Sequence, residues 1–311
     1  MHRPGLKVFA PATVANVAVG YDILGFAIEG PGDVIIINEG AKPGLHIKSI
    51  SGTTKKLPKE TEKNTAGYAG LQLMKHLGYE NEAVEIEIYK KMPFGSGLGS
   101  SAASAVAGVF AVNEFFGAPL EKKDLLRFAV EGEQIADGAW HADNVAPSLM
   151  GGIVLIRDND SLDCIKLPVP KGLYATVVYP HISILTKESR AILSETVPLK
   201  DHIQQNGNLG FFVAGLYRED IELIRRSLQD VIIEPQRAKL IPHFYEMKEA
   251  AMAAGALGFS ISGAGPSIFS LCQNSLIAEN VGVAINKVLN NHKVENDVFV
   301  SKINLEGAYK Y

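Results

Sequence analysis

The chain has 311 residues, with 30 Lys and Arg against 34 Asp and Glu, for a formal net charge of −4. That length suggests roughly two domains, each large enough to bury its own core. A hydrophobic fraction of 47% and a charged fraction of 21% are ordinary for a globular protein. With no basic run, they exclude the electrostatic footprint of a nucleic-acid or anionic-membrane binder.

No apolar stretch approaches the roughly 20 residues of a membrane span. The opening MHRPGLKVFAPA lacks a signal peptide's apolar core, because Pro4 and Lys7 fall where that core would sit. Cys164 and Cys272 form no CxxC, so neither a disulfide framework nor a zinc site is expected, and a reducing cytoplasm is the natural compartment. The eight histidines include no HxxxH or HExxH pair. Only His141 has unusual neighbours.

Helical and strand patterns interleave along the chain, which reads as a mixed α and β class. Residues 33–38 are a buried strand candidate. Residues 64–77 carry helical spacing and stop at Gly78. Residues 83–89 alternate apolar and charged side chains, the pattern of a half-exposed strand. The run from Ala102 to Phe116 reads as a buried helix. Residues 120–137 follow Pro119 and end at Gly138, the entry-proline and exit-glycine signature of a helix. Pro235 opens another helix running to about Gly255, kinked at Pro242. The polar turn Arg157–Ser161, followed by Pro168 and Pro170, suggests a domain division, placed between 1–160 and 161–311.

The segment Pro93-Phe94-Gly95-Ser96-Gly97-Leu98-Gly99-Ser100-Ser101-Ala102-Ala103 carries the functional argument. It lies between a strand and a helix. The first amides of a helix lack internal acceptors and sit at the positive end of its dipole, and glycines let a phosphate approach them. Ser96, Ser100 and Ser101 add hydroxyls for phosphate oxygens or a metal. No lysine follows the last glycine, so this is not a Walker loop, and the spacing is not that of a dinucleotide fold.

PFGSGLGSSAA resembles the second motif of the GHMP kinases. Ala10–Asn16 leading to Gly20–Gly25 resembles that family's first motif, and Ser262–Ser267 its third. The matches span residues 8 to 272. The resemblance implies an α+β fold of two domains. The N-terminal domain would be like the second domain of ribosomal protein S5, with a left-handed βαβ-type ATP site, and the C-terminal domain would be ferredoxin-like. It also implies an ATP-dependent kinase with Asn64 and residues 93–103 at the nucleotide. Mg²⁺ would be held by Glu133, with Ser100 as a further ligand and Glu131 as the alternative in another register.

Within the family, His141-Ala142-Asp143-Asn144-Val145-Ala146-Pro147 resembles the homoserine-phosphorylating members. Asp137 departs from the serine usual before the glycine. This likeness implies L-homoserine as acceptor, a place in threonine biosynthesis and a homodimer. Asn16, Asp22, His141, Asp143 and Gly263 would lie at the substrate, with Arg190 and Arg237 as a clamp for its carboxylate. Asp22, Asp143 and Glu133 are the candidate catalytic residues, with Asp22 and Asp143 orienting the substrate rather than acting as a dedicated base. Mevalonate or shikimate as acceptor is the alternative within the family, and a non-catalytic metabolite sensor the alternative outside enzymes. The absence of any HRD and DFG pair sets a protein kinase aside.

Overall fold

The computed structural model describes residues 4–54, 56–138, 140–184 and 186–311, with Ala136, Asp137 and Thr186 described by backbone alone. The Asp137 side chain, singled out above, therefore lies outside the described residues.

The chain runs β1 (Leu6–Ala15), β2 (Leu24–Glu39), β3 (Gly44–Ser51), α1 (Thr65–His76), β4 (Ala83–Tyr89), α2 (Ser100–Phe115) and α3 (Lys122–Asp137). It continues α4 (Val145–Met150), β5 (Ile153–Asp158), β6 (Asp163–Leu167), β7 (Tyr174–Pro180), α5 (Thr186–Ala191), α6 (Leu199–Arg218), α7 (Ile221–Ser227) and α8 (Glu234–Arg237). It ends α9 (Phe244–Ala253), β8 (Gly258–Ile261), β9 (Ile268–Cys272), α10 (Ser275–Asn291), β10 (Asn296–Lys302) and β11 (Tyr309–Lys310).

The first sheet has the order β11-β1-β2-β4-β3, with the β5–β6 hairpin attached to the other end of the long β2. In β4 the alternation places Val84, Ile86 and Ile88 inside at 0–2% exposure. Each such burial stabilises the fold by about 1.5–3 kcal/mol. The neighbouring β3 runs parallel to it, which requires a crossover, and α1 is that crossover. Helix α2 is apolar all round and almost wholly buried, as a helix enclosed by other elements must be. It packs between the sheet and helices α1 and α3.

The second sheet is antiparallel in the order β10-β7-β9-β8. By position in the chain that is fourth-first-third-second, the ferredoxin-like order. Helices α9 and α10 cover it around Phe244, Met247, Phe259, Ile268 and Ile285. The main core continues across both sheets, with the Phe26 ring of β2 against the Phe269 ring of β9 at 5.8 Å.

Two expectations change here. The helix from Pro235 to Gly255 is two helices, α8 and α9, separated by a 3₁₀ turn at 238–240 and a break at 241–243. Proline at 242 lacks the amide a continuous helix needs, and the chain turns rather than kinks. The polar turn at 157–161 joins β5 to β6 within the first sheet, and the last strand, β11, returns there to pair with β1.

Candidate active site

Loops and helix ends drawn from both halves of the chain frame one cleft of about 730 Å³ at the junction of the two sheets. Backbone hydrogen bonds hold the three glycine-containing segments together there. The Thr13 amide donates to the Leu98 carbonyl at 3.1 Å, the Ser267 amide to Ser96 at 3.1 Å and the Gly263 amide to Ala15 at 3.3 Å. The Ser262 hydroxyl donates to the Gly97 carbonyl at 2.7 Å.

Gly97 has φ +78°, and a Cβ there would lie 2.5 Å from the Ser262 carbonyl oxygen. Only glycine fits both the left-handed backbone and the contact. Gly99 (φ +66°) is equally constrained, since its Cβ would meet Thr13 Oγ1 at 2.2 Å and Asn144 Oδ1 at 2.8 Å. That threonine and asparagine are hydrogen-bonded to each other at 2.8 Å beneath the loop.

The loop ends at the N-terminus of α2. Ser96 Oγ and Ser100 Oγ are buried and have no hydrogen-bond partner among the described residues. Buried hydroxyls without partners are costly, and both line the cleft. The Ser101 hydroxyl donates to Glu133 Oε1 of α3 at 2.7 Å. The glutamate thus faces the loop, whereas Glu131 pairs with Arg127 on the surface at 3.0 Å. Beneath the loop, buried Lys90 donates to Asp33, to the Ser104 hydroxyl at 2.7 Å and to the Ser100 carbonyl at 2.7 Å.

At the other end of the cleft the charges are side chains from distant segments. Arg190 of α5 holds Asp22 bidentately, with both N–O distances 3.0 Å. Tyr21 Oη accepts from Arg190 at 3.1 Å and from Arg237 of α8 at 3.2 Å. Arg237 also donates to the Ser189 and Gly263 carbonyls, both at 3.0 Å. Asn16 Nδ2 donates to the same Gly263 carbonyl at 2.9 Å, and Asn16 Oδ1 accepts from the Asp22 amide at 3.0 Å.

Asn16, Val17, Ala18 and Asp22 all have positive φ, between 43° and 70°. Strain of this kind costs of order 1–3 kcal/mol per residue and concentrates at functional sites. His141 Nε2 lies 3.7 Å from Asp22 Oδ2, and its buried Nδ1 has no partner among the described residues.

Burial, reinforced by the Asp22 carboxylate and opposed by Arg190, pushes the Asp143 carboxyl up to about 7. Burial works against the Arg190 charge, but its bonds to Asp22 prevail and its pKa is raised. Arg237 is pushed down by its deeper burial.

Of the residues singled out in the sequence, Asn16, Asp22, Phe94, Gly95, Ser96, Gly97, Gly99, Ser100, Ser101, Glu133, His141, Asp143, Arg190, Arg237 and Gly263 line the cleft. Pro93, Leu98, Ala102 and Ala103 do not. The last three are fully buried behind the loop and contribute backbone and packing only. Asn64 is also outside that lining. Its side chain caps α1 through the Ala66 and Gly67 amides and donates to the Pro58 carbonyl at 3.0 Å.

Sequence reasoning missed Tyr21, Asn144, Lys187 and Asn159. Asn159 Nδ2 donates to the Asp22 carbonyl at 3.0 Å, while its Oδ1 accepts from the Ala142 amide at 3.0 Å. It therefore ties the strained 16–22 loop to the His141 segment. Its polar neighbours read as a linker, and nothing local marks a contact 137 positions away.

Comparison with known proteins agrees with this geometry. Residues 64–152 match the GHMP kinase N-terminal domain model and residues 212–291 the C-terminal one. A homoserine kinase of Chlorobium phaeobacteroides (strain BS1) is 44% identical, covering 96% of this chain and 97% of the relative. The crystal structure of homoserine kinase from Cytophaga hutchinsonii superposes with a TM-score of 0.96 at 51% identity, covering 99% of this chain and 97% of the other. The L. major mevalonate kinase in complex with R-mevalonate shares the fold at a TM-score of 0.72 and 17% identity, covering 96% of each chain. By the convergence of its three motifs on one cleft and by this full-length identity, the chain belongs to the GHMP kinase family, in its homoserine kinase branch.

Proposed function

We propose that the chain transfers the γ-phosphoryl group of Mg-ATP to the side-chain hydroxyl of L-homoserine, giving O-phospho-L-homoserine and ADP, a step toward threonine. One observation carries this reading: a glycine loop at a helix N-terminus shares a cleft with two arginines, an aspartate and an asparagine arranged around Tyr21. The first is suited to phosphates. The second offers cationic forks for a carboxylate and acidic or amide oxygens for an ammonium.

In this reading the loop amides with Ser96 and Ser100 hold the β- and γ-phosphates. Lys187, which lines the same cleft, adds a cation there. Asn64, through Pro58, steadies the wall of a second hollow lined by Ile50, Leu57, Pro58, Lys56 and Lys59, which would take the nucleotide base. Ser100 Oγ, without a hydrogen-bond partner among the described residues, and the Ser101–Glu133 pair are hard oxygen donors, so the set fits Mg²⁺. When bound, the ion supplies charge neutralisation between the phosphates.

Arg190 and Arg237 fix the acceptor's carboxylate, while Asn16, Asp22 and His141 face its ammonium and Asp143 orients its hydroxyl. The hydroxyl oxygen forms the new P–O bond as the β–γ bridging bond breaks. Its proton passes to a phosphate oxygen, so no dedicated base is required. Orientation of this kind is worth about 7–11 kcal/mol of barrier.

We further propose that the folding units divide at residues 168–173, after β6, with the last strand returning to the first unit. No described helix is long and apolar enough to cross a membrane, and a cytoplasmic enzyme is proposed. A homodimer is also proposed, from the exposed Leu199, Ile203 and Tyr217 on one face of α6, and light scattering tests it. The function itself is tested by ADP release from Mg-ATP with L-homoserine, mevalonate, shikimate and galactose in parallel. Turnover with homoserine alone is the expected result. Turnover with another acceptor keeps the nucleotide site and overturns the clamp. Nucleotide binding without any turnover favours a sensor.

A further inference from the structure

Away from the cleft, three ligand-type side chains converge where α9 begins and α10 ends. The break at 241–243 leaves His243 as the N-cap of α9 with φ +62°, a left-handed backbone uncommon for a side chain of this size. That conformation carries its imidazole toward His292, which closes α10. Glu246, one turn into α9, lies between them. Its Oε1 is 3.0 Å from His243 Nδ1 and its Oε2 is 2.8 Å from His292 Nε2. The two imidazole rings stack with centroids 3.4 Å apart at 11°. One ligand atom from each residue lies within 4.8 Å of the other two. None of the three lines the active-site cleft.

We propose that His243, Glu246 and His292 form a second metal site, selective for a borderline transition-metal dication of the zinc class. Two imidazole nitrogens and one carboxylate oxygen are a donor set typical of Zn²⁺, Co²⁺ or Ni²⁺, whereas Mg²⁺ prefers oxygen throughout. His243 and Glu246 stand one turn apart on the same helix face, and His292 supplies the third donor from a different helix.

A tetrahedral zinc with ligands at about 2.0–2.1 Å needs donor atoms about 3.3 Å apart. The stacked rings must swing outward to aim their lone pairs at one point. The side chains are 29%, 56% and 35% exposed for His243, Glu246 and His292, so all three reach solvent and none is locked within the core. A dication gives both rings and the carboxylate a shared partner, and water takes the fourth position. Bound there, it cross-links the start of α9 to the end of α10 over the second sheet.

Calorimetric titration of the full chain with ZnCl₂, without nucleotide, tests the site. Wild type binds one equivalent that His292→Ala and Glu246→Gln each weaken by about tenfold or more, and that Glu133→Gln retains. Titration of wild type with Co²⁺ gives the visible absorption of a tetrahedral N/O site, and His292→Ala does not. Thermal melts in EDTA establish that each variant is folded. Zinc stoichiometry and affinity unchanged in both ligand variants, or a single equivalent lost only with Glu133→Gln, overturns the proposal.

Discussion

The two ends of the cleft are built on opposite principles. The proposed phosphate end is built mainly on one contiguous segment, whose groups are backbone amides and short hydroxyls. Two of those hydroxyls, on Ser96 and Ser100, lack partners among the described residues. The acceptor end is assembled from five segments, and its charges already satisfy one another: Arg190 holds Asp22, and Tyr21 accepts from both arginines. A phosphate enters a site with donors waiting. In the proposed binding mode a zwitterionic acceptor would exchange into an existing pair, its carboxylate replacing Asp22 on the guanidinium while Asp22 turns to the ammonium. Equal numbers of charges before and after keep the exchange from stranding a buried ion, which would cost several kcal/mol.

Removing one partner from the acceptor end should show this dependence most strongly. Arg237 is 3% exposed and anchors Tyr21, Ser189 and Gly263 together. Arg237→Ala is expected to lower kcat/KM for homoserine by about 10²–10⁴-fold, from the roughly 3–5 kcal/mol cost of breaking a buried charged network. KM for ATP should stay close to wild type. Steady-state kinetics with each substrate varied in turn checks it. An equal loss on both substrates would mean that Arg237 supports the fold rather than the acceptor.

Gly97→Ala strikes the other end. Its Cβ meets the Ser262 carbonyl at 2.5 Å and its φ is +78°, so the loop must shift away from the 262–265 segment. A loss of about 10²-fold is expected, carried by ATP, from a strain of order 1–3 kcal/mol plus the displaced contact. Fluorescent-nucleotide titration reads it directly. Nucleotide affinity unchanged within error would remove the phosphates from this loop.

The same contrast explains what the sequence made legible. Strand β4 appears at the residues its alternation predicts, and the glycine loop keeps its strand-to-helix context, because period, glycine and proline are local signals. The acceptor end depends on pairs such as Arg190 with Asp22, 168 positions apart, which no local pattern encodes. Those two residues were reachable only through motif likeness. Asn159 was not reachable at all, because it sits in a polar turn that composition reads as a linker. Asn159→Ala leaves the strained 16–22 loop without its tie to residue 142. It is expected to raise KM for homoserine about tenfold, the scale of one or two buried hydrogen bonds. A KM that does not move would confine Asn159 to the β5–β6 turn.

Asp143 sharpens the comparison with the smallest change in rate. Its carboxyl is raised to about 7 from 3.8, first by burial and then by Asp22. A group whose folded pKa lies above its unfolded value stabilises the fold fully below the unfolded pKa. That contribution fades as pH rises from 3.8 and is lost once pH passes 7. Asp143→Asn cannot ionise. Its melting temperature should therefore gain on wild type between about pH 4 and pH 7 and run parallel above that. On the proposal that the hydroxyl proton goes to phosphate, kcat should fall by no more than about tenfold and the pH–rate profile should keep its shape. A loss of several orders of magnitude together with the disappearance of a limb near pH 7 would make Asp143 the base. The acceptor end would then do chemistry as well as positioning.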